Sequence, residues 1–173
     1  MIVWLVGMSG AGKSTIGRHL HTAMKADNPA TVLVDGDEIR GIFRQDQGEA
    51  DYSVAGRRKN ARRIQEMCRW LDRQDMDVVC CILSVFRDTL AWNRETYSDY
   101  FEVFVDAPFD DLVERNPKNL YKLALSGQTR NVVGVDIEFE PPESPDMHLV
   151  NPRPFRPPED MASQILSALR SRD

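Results

Sequence analysis

Ile2-Val3-Trp4-Leu5-Val6 runs straight into Gly7-Met8-Ser9-Gly10-Ala11-Gly12-Lys13-Ser14-Thr15. The first five residues are a continuous apolar run, the pattern of a strand buried on both faces. The next nine fit G-x-x-x-x-G-K-[ST] through Gly7, Gly12, Lys13 and Ser14. Ile16, Leu20 and Met24 then recur at helical spacing. Strand, glycine-rich turn and amphipathic helix in that order are the context a phosphate-binding loop requires. Glycines let backbone N–H groups wrap an anion, and the helix N-terminus adds partial positive charge. Lys13 is placed to reach β- and γ-phosphates, and the Ser14 hydroxyl to hold Mg²⁺.

Outward from this segment the pattern repeats. Thr31–Val34, Asp77–Leu83 and Glu102–Val105 are β-branched or continuous apolar runs. Ile64, Met67, Cys68 and Leu71 mark another helix between two of them. The alternation predicts an α/β fold: a P-loop NTPase-type parallel sheet flanked by helices. Ligands in such sheets bind at the carboxyl ends of the strands, here just after Val6, Val34, Leu83 and Val105.

The chain has 173 residues, a length that predicts one domain over 1–173. Seven of its ten prolines lie between Pro141 and Pro158, so 141–158 reads as an extended surface strap. Met161, Ile165, Leu166 and Leu169 then mark a last helix over 159–170. The net charge of −5 argues against a nucleic-acid partner, which needs a basic footprint. No apolar run approaches the roughly 18 residues of a membrane span. The first residues have neither a basic n-region nor a cleavage site, and Cys68, Cys80 and Cys81 form no C-x-x-C pair. Buried free thiols in a cytoplasmic protein, with no membrane partner, are the expectation. Cys80 and Cys81, being adjacent in a strand, should face opposite sides of the sheet.

Polar residues gather after each strand. Asp35 and Asp37 follow the second run, where carboxylates orient Mg²⁺ and take a proton from an attacking hydroxyl. The alternative is that one of them caps a helix starting near Glu38. Arg40, one turn on, suits an anionic substrate. Five of the seven residues Arg57–Arg63 are basic, yet Arg57 and Asn60 lie on the stripe of Ile64, Cys68 and Leu71 and should look toward the ligand edge. Arg58, Arg62 and Arg63 fit a solvated face. Ser84 and Arg87 follow the third run. Arg115, Lys118, Lys122 and Arg130 lie in a segment, 115–136, that reads either as a mobile lid or as a charged surface helix and loop. The histidines support no zinc site or catalytic triad.

Taken together, these elements resemble the adenylylsulfate (APS) kinase family. The D-G-D-x-x-R segment is Asp35–Arg40, and the aromatic-Ser-x-x-D-R-x-x-N-x-R-R element is Tyr52–Arg63. The I-S-P-[YF]-R strand end is Leu83–Arg87, the E-V-[FY]-V-D-x-P strand is Glu102–Pro108, and the lid D-P-K-G-L-Y-K is Asn116–Lys122. The closing G-x-D-x-x-[FY]-E-x-P-x-x-P runs from Gly134 to Pro145. The resemblance implies transfer of the γ-phosphoryl group of ATP, with Mg²⁺, to the 3′-hydroxyl of adenosine 5′-phosphosulfate by a homodimer. ATP contacts fall on Gly7, Ser9, Gly10, Ala11, Gly12, Lys13, Ser14 and Thr15, with Arg115. Lys13, Asp37 and Ser84 take the catalytic positions. Asp37 assists the acceptor hydroxyl, and Ser14 and Asp37 hold Mg²⁺ directly or through water, with Asp35 supporting that network. Ser84 matches a serine described as a phosphoserine site, although direct in-line transfer needs no such intermediate. Acceptor contacts fall on Asp35, Arg40, Tyr52, Arg57, Asn60, Leu83, Ser84, Arg87, Lys118, Lys122 and Val132.

The departures from the pattern concentrate in the acceptor region. Gly56 replaces the aspartate before Arg57, Lys59 a glutamate, and Val85 a proline. The lid arginine expected near Leu125 is missing. Val132 stands where the family has a phenylalanine that closes an aromatic clamp on adenine. One stacking face is worth roughly 1–3 kcal/mol. Two alternatives therefore stand beside APS: the same chemistry on a pyrimidine acceptor such as cytidine diphosphoramidate, and a nucleotide-binding regulator without turnover.

Overall fold

The structure is a computed structural model that describes residues 1–83, 86–115 and 119–172. Five parallel strands form one sheet: β1 (Ile2–Val6), β2 (Thr31–Asp35), β3 (Asp77–Ile82), β4 (Tyr100–Asp106) and β5 (Met147–Val150). Their order is β2-β3-β1-β4-β5. The helices are α1 (Lys13–Asp27), α2 (Gly36–Ile42), α3 (Glu49–Tyr52), α4 (Val54–Asp72), α5 (Arg87–Thr96), α6 (Phe109–Arg115), α7 (Leu120–Leu125) and α8 (Pro158–Arg170). Among the described residues no helix is long and apolar enough to cross a membrane.

β1 lies at the centre because all five of its residues can be buried. Val3 and Leu5 face a core shared with Ile16 and Leu20 of α1 and Ile165 of α8. Ile2, Trp4 and Val6 face the opposite core with Ile64 and Cys68 of α4 and Leu90 of α5. Each fully buried residue of this size contributes about 1.5–3 kcal/mol. The pleat separates the adjacent thiols as expected: Cys81 joins the α1 side and Cys80 the α4 side. All three cysteines are free and buried.

The register aligns the carboxyl ends of the strands. Val6 pairs with Ile82 on one side and Phe104 on the other, and Asp35 pairs with Cys81. The loops after β1, β2, β3 and β4 therefore leave one edge together.

The strap differs from its sequence reading. A fifth strand, Met147–Val150, lies inside it, pairs with β4 from Val103 to Asp106, and buries Leu149. The prolines explain both the expectation and its failure. Pro145 and Pro152 bracket Met-His-Leu-Val without entering it, so every donor of this edge strand is kept.

α1 lies so close to β3 that a Cβ on Gly17 would stand 2.2 Å from Cys81 Sγ. In an open helix, Gly→Ala is stabilising by about 1 kcal/mol. Here Gly17→Ala is expected to lose about 1–3 kcal/mol through overpacking. Cys81→Ala should return most of that loss in the double variant, as urea unfolding of the four proteins would measure.

Candidate active site

The phosphate loop joins β1 to α1. Gly10 and Gly12 take φ of 82° and 108°, a region that side chains resist, so the loop can curl its amides inward. Three contacts brace it, two from distant segments and one within the loop. Tyr121 Oη of α7 donates to Ser9 O at 2.8 Å. Asn151 Nδ2, just past β5, donates to Ala11 O at 3.1 Å. Lys13 Nζ donates to Met8 O at 2.8 Å. Burial pushes the Lys13 amine down to about 8, against the pull of nearby Asp37 and Asp35. Arg115 lies over the Phe155 ring at 4.4 Å, beside Gly12, and extends the site past the loop. Thr15 is exposed and Ala11 buried.

Asp35 ends β2 and caps α2. Its Oδ1 accepts from Asp37 N at 3.0 Å, and its Oδ2 accepts from Ser14 Oγ at 2.5 Å. The capping alternative thus holds for Asp35, whose second oxygen is also bonded to Ser14 of the phosphate-loop motif. Asp37 stands exposed in the first turn of α2, close enough to Lys13 to stabilise its charge.

A second cluster rises from α2, α3 and α4. Arg40 is 6% exposed, an unusual burial for a guanidinium, and lies 4.8 Å from the Tyr52 ring centroid. Arg57 lies over the same ring at 5.9 Å. Burial first, and the Arg40 cation second, hold Arg57 below the usual arginine value. Two cations brought together around one aromatic ring make a place for an anion beside a flat group. Asn60 is buried on the same helix face, and its Oδ1 has no partner among the described residues. An orphaned buried acceptor of this kind is costly unless a ligand satisfies it.

Other expected residues fall differently. Leu83 is half-buried just past the end of β3. Arg87 is committed to Glu140 at 3.3 Å and Glu143 at 2.5 Å. Lys122 is exposed on α7. Val132 is buried and packs with the α1-side core, so it presents no free face opposite Tyr52. Ser84 and Lys118 lie outside the described residues. Arg58 pairs with Asp88, and Arg63 covers Phe43, as residues of a surface face. Sequence reasoning passed over Asn151 and Asn131. Neither belongs to a motif; each gains its place only when distant segments meet.

Comparison with known proteins places the chain among its relatives. The family model described as adenylylsulphate kinase matches residues 1–150. The adenylyl-sulfate kinase of Aeromonas hydrophila is 38% identical over 175 residues, covering 99% of this chain and 86% of that protein. The cytidine diphosphoramidate kinase of Campylobacter jejuni is 36% identical over 143 residues, covering 83% of this chain and 82% of its own length. The structure of the Mycobacterium tuberculosis APS kinase CysC in complex with AMPPNP and APS superposes with a TM-score of 0.83 at 29% identity, covering 98% of this chain and 96% of that one. A phosphate loop braced by Asp35, a cationic aromatic cluster beside it, and a match that spans both agree on one assignment: the chain belongs to the adenylylsulphate kinase family, whose members are kinases that transfer phosphate to a hydroxyl group.

Proposed function

We propose that the chain transfers the γ-phosphoryl group of ATP to the 3′-hydroxyl of adenosine 5′-phosphosulfate. One observation carries the reading. The phosphate loop, the exposed Asp37 carboxylate and the Tyr52–Arg40–Arg57–Asn60 cluster share one sheet edge, inside a family match that runs from residue 1 to 150. In this reading the loop amides and Lys13 hold the β- and γ-phosphates. Asp37 takes the proton of the 3′-hydroxyl as the new O–P bond forms and the γ-phosphorus bond to the β-phosphate oxygen breaks. Arg40, Arg57 and Asn60 hold the phosphosulfate end and ribose of the acceptor, and Tyr52 stacks on its base. Ser84 has no step to perform in a direct transfer.

The donors near the loop fit Mg²⁺. Ser14 Oγ and the Asp35 carboxylate are hard oxygens already in contact, with Asp37 next to them. Mg²⁺ is held in such sites by one or two carboxylates plus substrate phosphates, and it neutralises charge on those phosphates when bound. We place the chain in the cytoplasm on its free cysteines, and assembly as a homodimer follows the family resemblance.

A second acceptor, cytidine diphosphoramidate, is favoured by one observation: Val132 is buried and aliphatic, so it adds no stacking face to that of Tyr52. An ADP-release assay with Mg²⁺, ATP and each acceptor separates the readings. Turnover with APS at low concentration is the expected result. Turnover only with the cytidine nucleotide would transfer the assignment to that acceptor, and tight ATP binding with no turnover would leave a regulator. Asp37→Asn should keep ATP affinity and lose about 10²–10⁴-fold in kcat; a wild-type kcat removes the base assignment.

The Lys13 amine, lowered to about 8, gives a pH signature. Well below that value it is charged before and after ATP binds, so binding takes up no proton there. Above it the free amine is mostly neutral, and the phosphates recharge it. Proton uptake on binding should therefore appear near about pH 9, with affinity falling as pH rises. Calorimetry in buffers of different ionisation enthalpy reads it, and Lys13→Ala should abolish it.

A further inference from the structure

α3 has only four residues, Glu49–Tyr52, and its backbone closure is a single amide: Ser53 N donates to Glu49 O at 3.1 Å and to Ala50 O at 3.3 Å. Side chains supply further donors to all four carbonyls. Asn131 Nδ2 donates to Glu49 O at 3.4 Å, Ser53 Oγ to Ala50 O at 2.6 Å, Arg40 Nη1 to Asp51 O at 2.7 Å, and Arg57 Nε to Tyr52 O at 2.8 Å. Arg57 Nη2 also donates to Asn131 O at 2.7 Å. The two cations that flank the Tyr52 ring are thus fastened to the backbone that carries the ring. Each guanidinium still has further N–H groups for a ligand anion.

This seat depends on a missing side chain. A Cβ on Gly56 would stand 2.4 Å from Ala50 O and 2.5 Å from Asp51 O. Both are backbone atoms and cannot rotate away. Gly56 N meanwhile donates to Ser53 Oγ at 3.2 Å, which closes α3 onto the first turn of α4. The aspartate of the family pattern would bring both a clash and a negative charge against the same carbonyls. A chain with that aspartate must hold its α3 segment farther off.

We propose that Gly56 is a positioning residue of the acceptor site: its bare Cα lets α3 seat its carbonyl end on α4, and this seat holds Tyr52, Arg40 and Arg57 as one preformed clamp. The proposal rests on the acceptor reading above. Gly56 touches no substrate; it acts through the three residues it aligns.

The test is steady-state kinetics of Gly56→Ala and Gly56→Asp with ATP and adenosine 5′-phosphosulfate. Acceptor KM should rise about tenfold or more, with the KM for ATP unchanged within about twofold. Ala55→Asp, on an exposed position of the same turn, should leave both constants unchanged. In a Tyr52→Ala background Gly56→Ala should add little, because the clamp is already broken. An unchanged acceptor KM in Gly56→Ala, or full additivity with Tyr52→Ala, overturns the proposal. Hydrogen exchange on the unaltered chain is a second reading that needs neither acceptor nor variant. The amides of Asp51, Ser53, Gly56 and Arg57 should open as one unit, and independent opening overturns the seat. An unaltered chain that is inert toward the acceptor while these amides open together would instead remove the acceptor reading and leave the seat standing.

Discussion

The parallel pairing of β1 with β3 on one side and β4 on the other governs the rest of the structure. A strand hydrogen-bonded on both edges and buried on both faces has no freedom to shift. Its carboxyl end is therefore a fixed point, and the phosphate loop begins there. The same register sets Asp35 level with Cys81, close enough for its carboxylate to reach Ser14. That one contact joins the first turn of α1, which follows the phosphate loop, to the carboxyl end of β2. The polar site is thus positioned by apolar burial several residues away.

Charge is arranged in the opposite way from the core, by bringing together groups that repel. Lys13 is buried with its amine against a carbonyl, and Arg40 and Arg57 crowd around one ring. Burial and mutual repulsion both favour an incoming anion, because a polyanionic ligand relieves each of them. Backbone carbonyls restrain the cations in the meantime: Met8 O for Lys13, Gln45 O and Asp51 O for Arg40, Tyr52 O and Asn131 O for Arg57. Neutral acceptors of this kind orient a cation without neutralising it.

Much of this was legible in residue order. The apolar run Ile2–Val6 and the glycine-rich segment after it required a strand and a phosphate loop, since each is a local pattern with a local cause. The helical stripe through Arg57, Asn60, Ile64 and Cys68 put two polar residues on a core-facing line; Asn60 is buried there, while Arg57, nearer the helix start, is half-buried and reaches Tyr52 O and Asn131 O. β5 was hidden because the prolines around Met147–Val150 dominate the composition of its stretch. Val132 was legible as a change of residue but not as a buried one, because its burial comes from elements far away in sequence.

By itself the sequence determined the sheet class, the donor loop and the set of polar residues available at the strand ends, since spacing and local backbone preference act within a few residues. The tertiary structure decided which of those residues meet. It turned Arg87 toward Glu140 and Glu143, brought Asn151 to the loop, and set α3 on the bare Gly56. Such contacts join segments up to 140 positions apart. They depend on strand register and on a clash of a few ångströms, quantities that exist only once the chain is packed.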